Sequence, residues 1–249
     1  MIISTNGIVL KTILYSDSSI IVRLFTEDYG KIAIIAKGAR KPKNPVSGIL
    51  EPINHLNIQY YNKENRSIQI FKEANFLSNF NFIRGNYNKL SISLAVIDAL
   101  DKSTIEYNPS PILYRLAWKI LEKINFTQNN PMLIFSFFLM QLSIRIGFMP
   151  ELEKCYKCKN FIVDAGIDYQ KCEIICRNCL IYKDYKLSSK AMLLLKDLTL
   201  THLDKIEVKN YNNNYITESI LFLKLFTFYH IEGIKNMKSM SLINEISNG

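Results

Sequence analysis

Five cysteines lie between positions 155 and 179, and four of them form two pairs. Cys155-Tyr156-Lys157-Cys158 is one C-x2-C and Cys176-Arg177-Asn178-Cys179 is the other, with 17 residues between them. That is the spacing of a structural zinc site. Each pair makes a tight turn that aims two thiolates at one centre, and two such turns close a tetrahedral four-sulfur shell. A closed shell leaves no position for an activated water, which argues against catalysis at the metal. The segment between the pairs has few large apolar residues, so zinc would stand in for a core there. Two pairs of ordinary buried cysteines are the plainer alternative, but the spacing is specific to metal. Cys172 is the odd one out. It could replace Cys176 as a ligand, yet Cys172-x6-Cys179 is a poorer loop, so it is expected to be a free thiol. Lys154, Lys157, Lys159 and Arg177 surround the cysteines. They would either offset the thiolate charge or contact phosphates, and the first role needs no partner.

The second constellation is electrostatic. Lys37-Gly38-Ala39-Arg40-Lys41-Pro42-Lys43 holds four cations in seven residues and no acid. Gly38 and Pro42 mark it as a loop, expected to be flexible. A cationic loop beside a small barrel is half of a single-strand binding site; the other half is a set of aromatic faces on which bases stack. The aromatic candidates are Phe25, Tyr60, Tyr61 and Phe71. At most half of these can point outward, because strand side chains alternate, and for any one of them a core role is the default. The other candidates are weaker. His55, His202 and His230 are scattered, and no Ser/His/Asp or Cys/His arrangement can be assembled. Asp17, Glu27 and Asp28 sit at expected turns, where solvated carboxylates are common. Neither G-x-x-x-x-G-K-[ST] nor G-x-G-x-x-G occurs, so nucleotide hydrolysis and dinucleotide chemistry have no support. No H-x-E accompanies the cysteine pairs, which argues against a zinc deaminase.

The elements that must position these groups fall into three kinds. Residues 1 to about 80 read as five short strands separated by polar turns at Ser16–Ser19, Asp28–Gly30 and Asn62–Asn65. Such spacing predicts a small barrel, and five strands suit an OB-like fold, although the pattern alone does not separate that from an SH3-like barrel. Residues 86 to 149 carry apolar positions at helical spacing. Asn108-Pro109 and Asn129-Asn130-Pro131 break them into three helices, with Pro131 suited to a first turn. Residues 151–185 form the cysteine module. Helix returns from 188 to about 235, with Ser188 or Ser189 as a cap and Ile216–Ile231 as the last strong helix. The expected organisation is therefore α+β and multidomain: an OB-fold barrel domain at 1–80, an α-helical bundle domain at 81–150 and 186–249, and the inserted four-cysteine zinc module at 151–185.

Composition agrees with a globular chain. The 249 residues are 48% hydrophobic and 21% charged, which excludes a wholly disordered chain, a collagen-like repeat and a coiled-coil rod. With 31 Lys+Arg against 22 Asp+Glu the formal charge is +9, favouring polyanion partners. The most apolar stretch, Met132 to Ile144, is short of the ~20 residues that span a bilayer, so no membrane association is expected. Met1–Asn6 carries neither a basic n-region nor an A-x-A site, and clustered cysteines without a signal peptide point to metal rather than disulfides. A cytoplasmic protein is expected.

The order of motifs then becomes informative. Gly7-Ile8-Val9-Leu10, Tyr15-Ser16-Asp17, Leu24-Phe25-Thr26, Gly30 and Lys37-Gly38-Ala39-Arg40 precede the helices and the cysteines. Phe228-Tyr229-His230 and Lys238-Ser239 follow them. This arrangement resembles the bacterial RecO family of recombination mediators over nearly the whole chain. The resemblance implies an N-terminal OB fold, a central helical domain and a zinc-bearing module. It implies binding of single- and double-stranded DNA, annealing of complementary strands, and partnership with RecR. It also implies contact with the C-terminal tail of single-strand-binding protein, recombinase loading, and a bacterial, nucleoid-associated location. Carried onto this sequence, the DNA surface would include Lys37, Arg40, Lys41 and Lys43, and the zinc ligands would be Cys155, Cys158, Cys176 and Cys179. Glycines often precede the second cysteine pair in the family, where this chain has Lys171-Cys172-Glu173.

Two function classes follow, with a third beside them. One is a DNA-binding and annealing module without turnover, DNA repair and recombination being its setting. Another is a zinc-dependent nucleic-acid enzyme such as a nuclease, which would need an open ligand position and a nearby general base. The last is a zinc-ribbon scaffold that contacts only proteins.

Overall fold

The computed structural model describes residues 1–181, 185–206, 211–237 and 239. Of the expected Lys238-Ser239 ending only Ser239 is described, and residues 182–184 of the cysteine module lie outside the described set. The chain divides into two compact units: Met1–Phe126, joined by Met237 and Ser239, and Thr127–Asn236.

The first unit is built on a closed five-stranded barrel. Its strands are β1 (Ile2–Tyr15), β2 (Ser19–Thr26), β3 (Gly30–Ala36), β4 (His55–Tyr61) and β5 (Ile68–Ser78). A one-turn helix, α1 (Val46–Ile49), lies between β3 and β4. The strand order is β1-β2-β3-β5-β4, every pairing being antiparallel except β3 with β5. Alternating β-branched and apolar residues supply the inward face, so Val9, Val22, Leu24, Ile34, Leu56 and Ile58 fill the barrel. This is the expected OB-like barrel. Two strands run longer than their local patterns indicated. β1 begins at Ile2 because it pairs with β4 from Ile2↔Tyr61 to Ile8↔His55, and β5 continues to Ser78 on the same partner.

Three helices complete this unit: α2 (Asn81–Arg84), α3 (Tyr87–Ser103) and α4 (Pro111–Phe126). Two buried polar links tie them to the barrel. Asp101 on α3 accepts from Arg23 on β2 at 2.6 Å and lies 3.5 Å from Nζ of Lys31 on β3. Lys31 also donates to the Asp101 and Thr104 carbonyls at 2.6 Å each, so this buried ammonium is fully engaged. His55 on β4 meets the Tyr114 hydroxyl of α4 at 2.7 Å and stacks on Trp118.

The second unit holds α5 (Pro131–Arg145), the cysteine module, α6 (Ser189–Leu200), α7 (Leu203–Ile206) and α8 (Asn213–His230). Pro131 occupies the first turn of α5 under an Asn130 cap, and the Ser188 side chain caps α6 by accepting from Ala191 N–H. α5 is buried continuously from Met132 to Ser143, which accounts for its apolarity on all sides. Among the described residues no helix is long and apolar enough to cross a membrane. The module's three-stranded sheet, in the order β7-β6-β8, comprises β6 (Ala165–Asp168), β7 (Glu173–Cys176) and β8 (Tyr185–Leu187).

Candidate metal centre and nucleic-acid interface

The first cysteine pair sits on a hairpin knuckle closed by an isolated bridge between Lys154 and Phe161. Cys155 N–H donates to Asn160 O at 2.8 Å, and Lys159 N–H donates to Cys155 O at 2.9 Å. The second pair straddles the end of β7, where a single 3-10 turn (Arg177–Cys179) brings Cys179 back beside Cys176. Tyr156 N–H donates to Ile174 O at 2.9 Å and joins the two halves. At Gly166 on β6 a Cβ would overlap the Leu180 side chain, so only glycine lets the sheet lie this close to the second turn.

The result is one cluster of four sulfurs, those of Cys155, Cys158, Cys176 and Cys179, all within 4.8 Å of one another. Zinc–sulfur bonds of about 2.3 Å in a tetrahedron put sulfurs ~3.8 Å apart, and Cys158 and Cys176 are 3.6 Å apart. The donors and their spacing fit a closed four-thiolate metal site. Backbone groups prepare it. Burial pushes the Cys155 thiol up, but hydrogen bonds from the backbone of Cys158, Cys176 and Lys157 outweigh that and bring it down to about 6. Cys179 moves the other way, to about 12, because its hydrogen bonds to the neighbouring cysteine side chains favour its thiol form. A bound cation would instead favour the deprotonated thiolates of all four.

Cys172 stands outside the four-sulfur cluster. It is buried, with φ of +55°, in the tight turn between β6 and β7, where its N–H donates to Asp168 O at 2.7 Å. Left-handed backbone is the natural place for glycine, and here a buried cysteine occupies it. The surrounding cations are tied down locally. Lys157 pairs with Asp168 at 2.8 Å and Arg177 with Asp164 at 3.5 Å. Lys154 lies over the Phe161 ring and Lys159 over that of Tyr156, at 5.6 and 5.0 Å from the ring centres.

The basic loop belongs to the first unit, where hydrogen bonds tie it to the β1–β2 turn. Each residue of Gly38-Ala39-Arg40 has a distinct task. Gly38 takes φ of +68° and starts a turn closed by Lys41 N–H to Gly38 O at 3.1 Å. Ala39 is buried in the barrel core. Arg40 clamps the loop to the β1–β2 turn. Its N–H donates to Ser18 O at 2.9 Å, and its Nη2 donates to Ser16 O and Asp17 O at 2.6 and 2.7 Å. Asn44 braces the far side, donating from Nδ2 to Gly38 O at 3.0 Å. Lys37, Lys41 and Lys43 are left exposed around this frame.

The four aromatic candidates mostly take the core role that is their default. Phe25 and Tyr60 are buried, Phe71 is half-buried, and Tyr61 alone of the four is exposed. The exposed aromatic next to the clamped loop is Tyr15, at the end of β1, with Ile13 and Leu14 before it. Strand alternation points to residues within the barrel and away from the end of β1, which pairs there with β2 alone.

Comparison with known proteins decides the family. The model of "Recombination protein O N terminal" matches residues 1–80, and that of "Recombination protein O C terminal" matches residues 84–240. The chain belongs to the Recombination protein O family. Among similar curated proteins, the DNA repair protein RecO of Prosthecochloris aestuarii is 33% identical over 62% of this chain and 59% of its own length. That of Salinibacter ruber is 28% identical over 61% of this chain and likewise 59% of its own length, so both matches span under two thirds of the relative. RecO of Bacillus pumilus is 24% identical over 100% of this chain and 98% of the relative.

Proposed function

We propose that this chain is a DNA repair and recombination mediator that binds single- and double-stranded DNA, anneals complementary strands and turns over no substrate. The single observation that carries this reading is the clamped loop. Arg40 directs its hydrogen bonds to the β1–β2 turn while keeping its charge at the surface, and Lys37, Lys41 and Lys43 project around it. Cations fixed in this way neutralise phosphates without reading bases, so two bound strands repel each other less and keep their edges free to pair. Family membership supports the cellular setting: action with RecR, contact with the C-terminal tail of single-strand-binding protein, recombinase loading, and a cytoplasmic, nucleoid-associated location. The functional parts are then the barrel domain at 1–80, the helical scaffold at 81–150 and 186–249, and the metal module at 151–185.

The cysteine chemistry favours zinc, which Cys155, Cys158, Cys176 and Cys179 would hold. When bound it supplies a rigid tetrahedral joint rather than chemistry, since four thiolates leave no coordination position for water or substrate. The chain's own residues prepare the joint: the knuckle backbone lowers Cys155 toward its thiolate form.

The test is annealing of two complementary oligonucleotides coated with single-strand-binding protein, at two salt concentrations. Acceleration that weakens with salt, without strand cleavage, is the expected result. Cleavage of labelled DNA with added metal would favour a nuclease. Absence of DNA binding at ~0.1 M salt, where phosphate contacts still act, would leave a protein-binding scaffold.

A further inference from the structure

The tip of the β1–β2 hairpin presents three consecutive large apolar side chains to solvent. Ile13, Leu14 and Tyr15 are 40%, 69% and 51% exposed, although they are paired in a strand. The pairing of β1 with β4 ends at Ile8, so from Lys11 to Tyr15 β1 pairs with β2 alone and its other edge is uncovered, while Ile20, opposite Leu14 on β2, stays in the barrel core. Three neighbouring apolar groups at a turn would ordinarily be replaced by polar residues, and a patch of this kind marks a contact surface.

Its surroundings say what it contacts. The same turn is where Arg40 is fastened, through the carbonyls of Ser16, Asp17 and Ser18. The tip is therefore rigidly joined to the loop carrying Lys37, Lys41 and Lys43, and Lys11 is exposed on the face of β1 shared with Ile13 and Tyr15. Asp17 is the acid of the turn. A planar ring and a branched aliphatic group beside fixed cations match a strand whose bases are unpaired: phosphates meet the lysines and a base lies on the ring.

We infer that Ile13 and Tyr15, which share a face of β1 with Lys11, form the base-contacting half of the nucleic-acid site, selecting single-stranded DNA over duplex. The lysines carry the salt-dependent part of binding and the tip carries the salt-independent part. A duplex keeps its bases stacked inside, so it gains from the lysines and little from the tip. This inference rests on the DNA-binding reading above, and its test separates the two.

The intact protein is titrated with a fluorescent single-stranded oligonucleotide and with the matching duplex across a salt series. Three variants are compared: Ile13→Ala with Tyr15→Ala, Tyr15→Phe alone, and Lys37→Ala with Lys41→Ala. The first is expected to weaken single-strand binding about tenfold, the scale of one lost base stack. It should leave the salt slope and the duplex affinity unchanged. Tyr15→Phe keeps the ring and should bind as the unaltered chain does, which guards against a merely misfolded hairpin. The lysine pair should weaken both DNA forms and shallow the single-strand slope by about 1.4. If the lysine variant behaves so and the tip variant binds single strands normally, the inference is overturned and the DNA reading stands. If the lysine variant changes neither affinity nor slope, the DNA reading itself falls. If the tip variant binds DNA normally but loses binding to vesicles of anionic phospholipid, the tip is a membrane contact and the inference is likewise overturned.

Discussion

Two buried polar residues carry more of the barrel unit's stability than their exposed neighbours. Lys31 counts toward the net charge of +9 but is unavailable to any polyanion, because Asp101 and two carbonyls hold it inside. Removing the carboxylate strands a buried ammonium, which costs far more than a surface pair gains. Asp101→Ala is expected to lower unfolding free energy by about 3–5 kcal/mol, read by urea denaturation. His55 adds a pH dependence. Burial holds its imidazole at about 4, below the usual 6.5. Burial also raises the Tyr114 hydroxyl well above its ordinary range, and the neutral imidazole shares hydrogen bonds with that hydroxyl through Nε2 and with Ser78 Oγ through Nδ1. Between pH 6.5 and 4 only the unfolded chain takes up this proton. The contribution is therefore complete above pH 6.5 and is lost as pH falls toward 4. Between pH 7.5 and 5.0 the loss should be about 2 kcal/mol. His230 is lowered by burial as well, so the contribution of His55 is the part of the pH slope that disappears in His55→Gln.

At the scale of elements, the turns decide what the strands can do. Gly30 opens β3 with φ of +67°, and a Cβ there would overlap the Asn108 backbone ahead of α4. Backbone strain and a clash with immovable atoms act together at this position, so Gly30→Ala is expected to cost about 3 kcal/mol, read as a lowered denaturation midpoint. The same elements show what local pattern reveals. Polar turns between apolar runs marked all five strands, and the Asn130, Pro131 and Ser188 signals marked the starts of two helices, since caps and turns are local chemistry. The four metal-site cysteines were legible for the same reason: each turn brings its own two sulfurs together, and only one fold-back was needed to join them. The ends of β1 and β5 were not, because their extra length comes from pairing with β4 rather than from alternation. The Arg23–Asp101–Lys31 link joins residues some 70 positions apart and leaves no periodic trace. The task of Arg40 as a clamp was equally hidden, because composition records its charge and says nothing of the carbonyls it meets.

At the scale of the whole molecule, the division into two units assigns the metal and the basic loop to different folding problems. The four cysteines lie in Thr127–Asn236, and the loop lies in Met1–Phe126. Around the cluster the apolar support is thin, with Ile175 as the buried aliphatic residue and Ile162 and Leu180 packed beside it. With so little apolar support, a metal bound at the cysteines would contribute much of this module's folding free energy, whereas the barrel is closed by its own hydrogen bonds and apolar interior. Chelation, or Cys155→Ser, should therefore lower the stability and solubility of the second unit much more than it lowers DNA affinity. In calorimetry the transition of the cysteine-bearing unit should move down with metal removal, while that of the barrel unit holds. Oligonucleotide titration of the same metal-free sample should retain the salt slope, because the lysines that set it depend on Arg40 and Ala39 and not on sulfur. A cysteine variant that stays fully folded and yet loses DNA binding would instead locate the phosphate-contacting surface at the metal module.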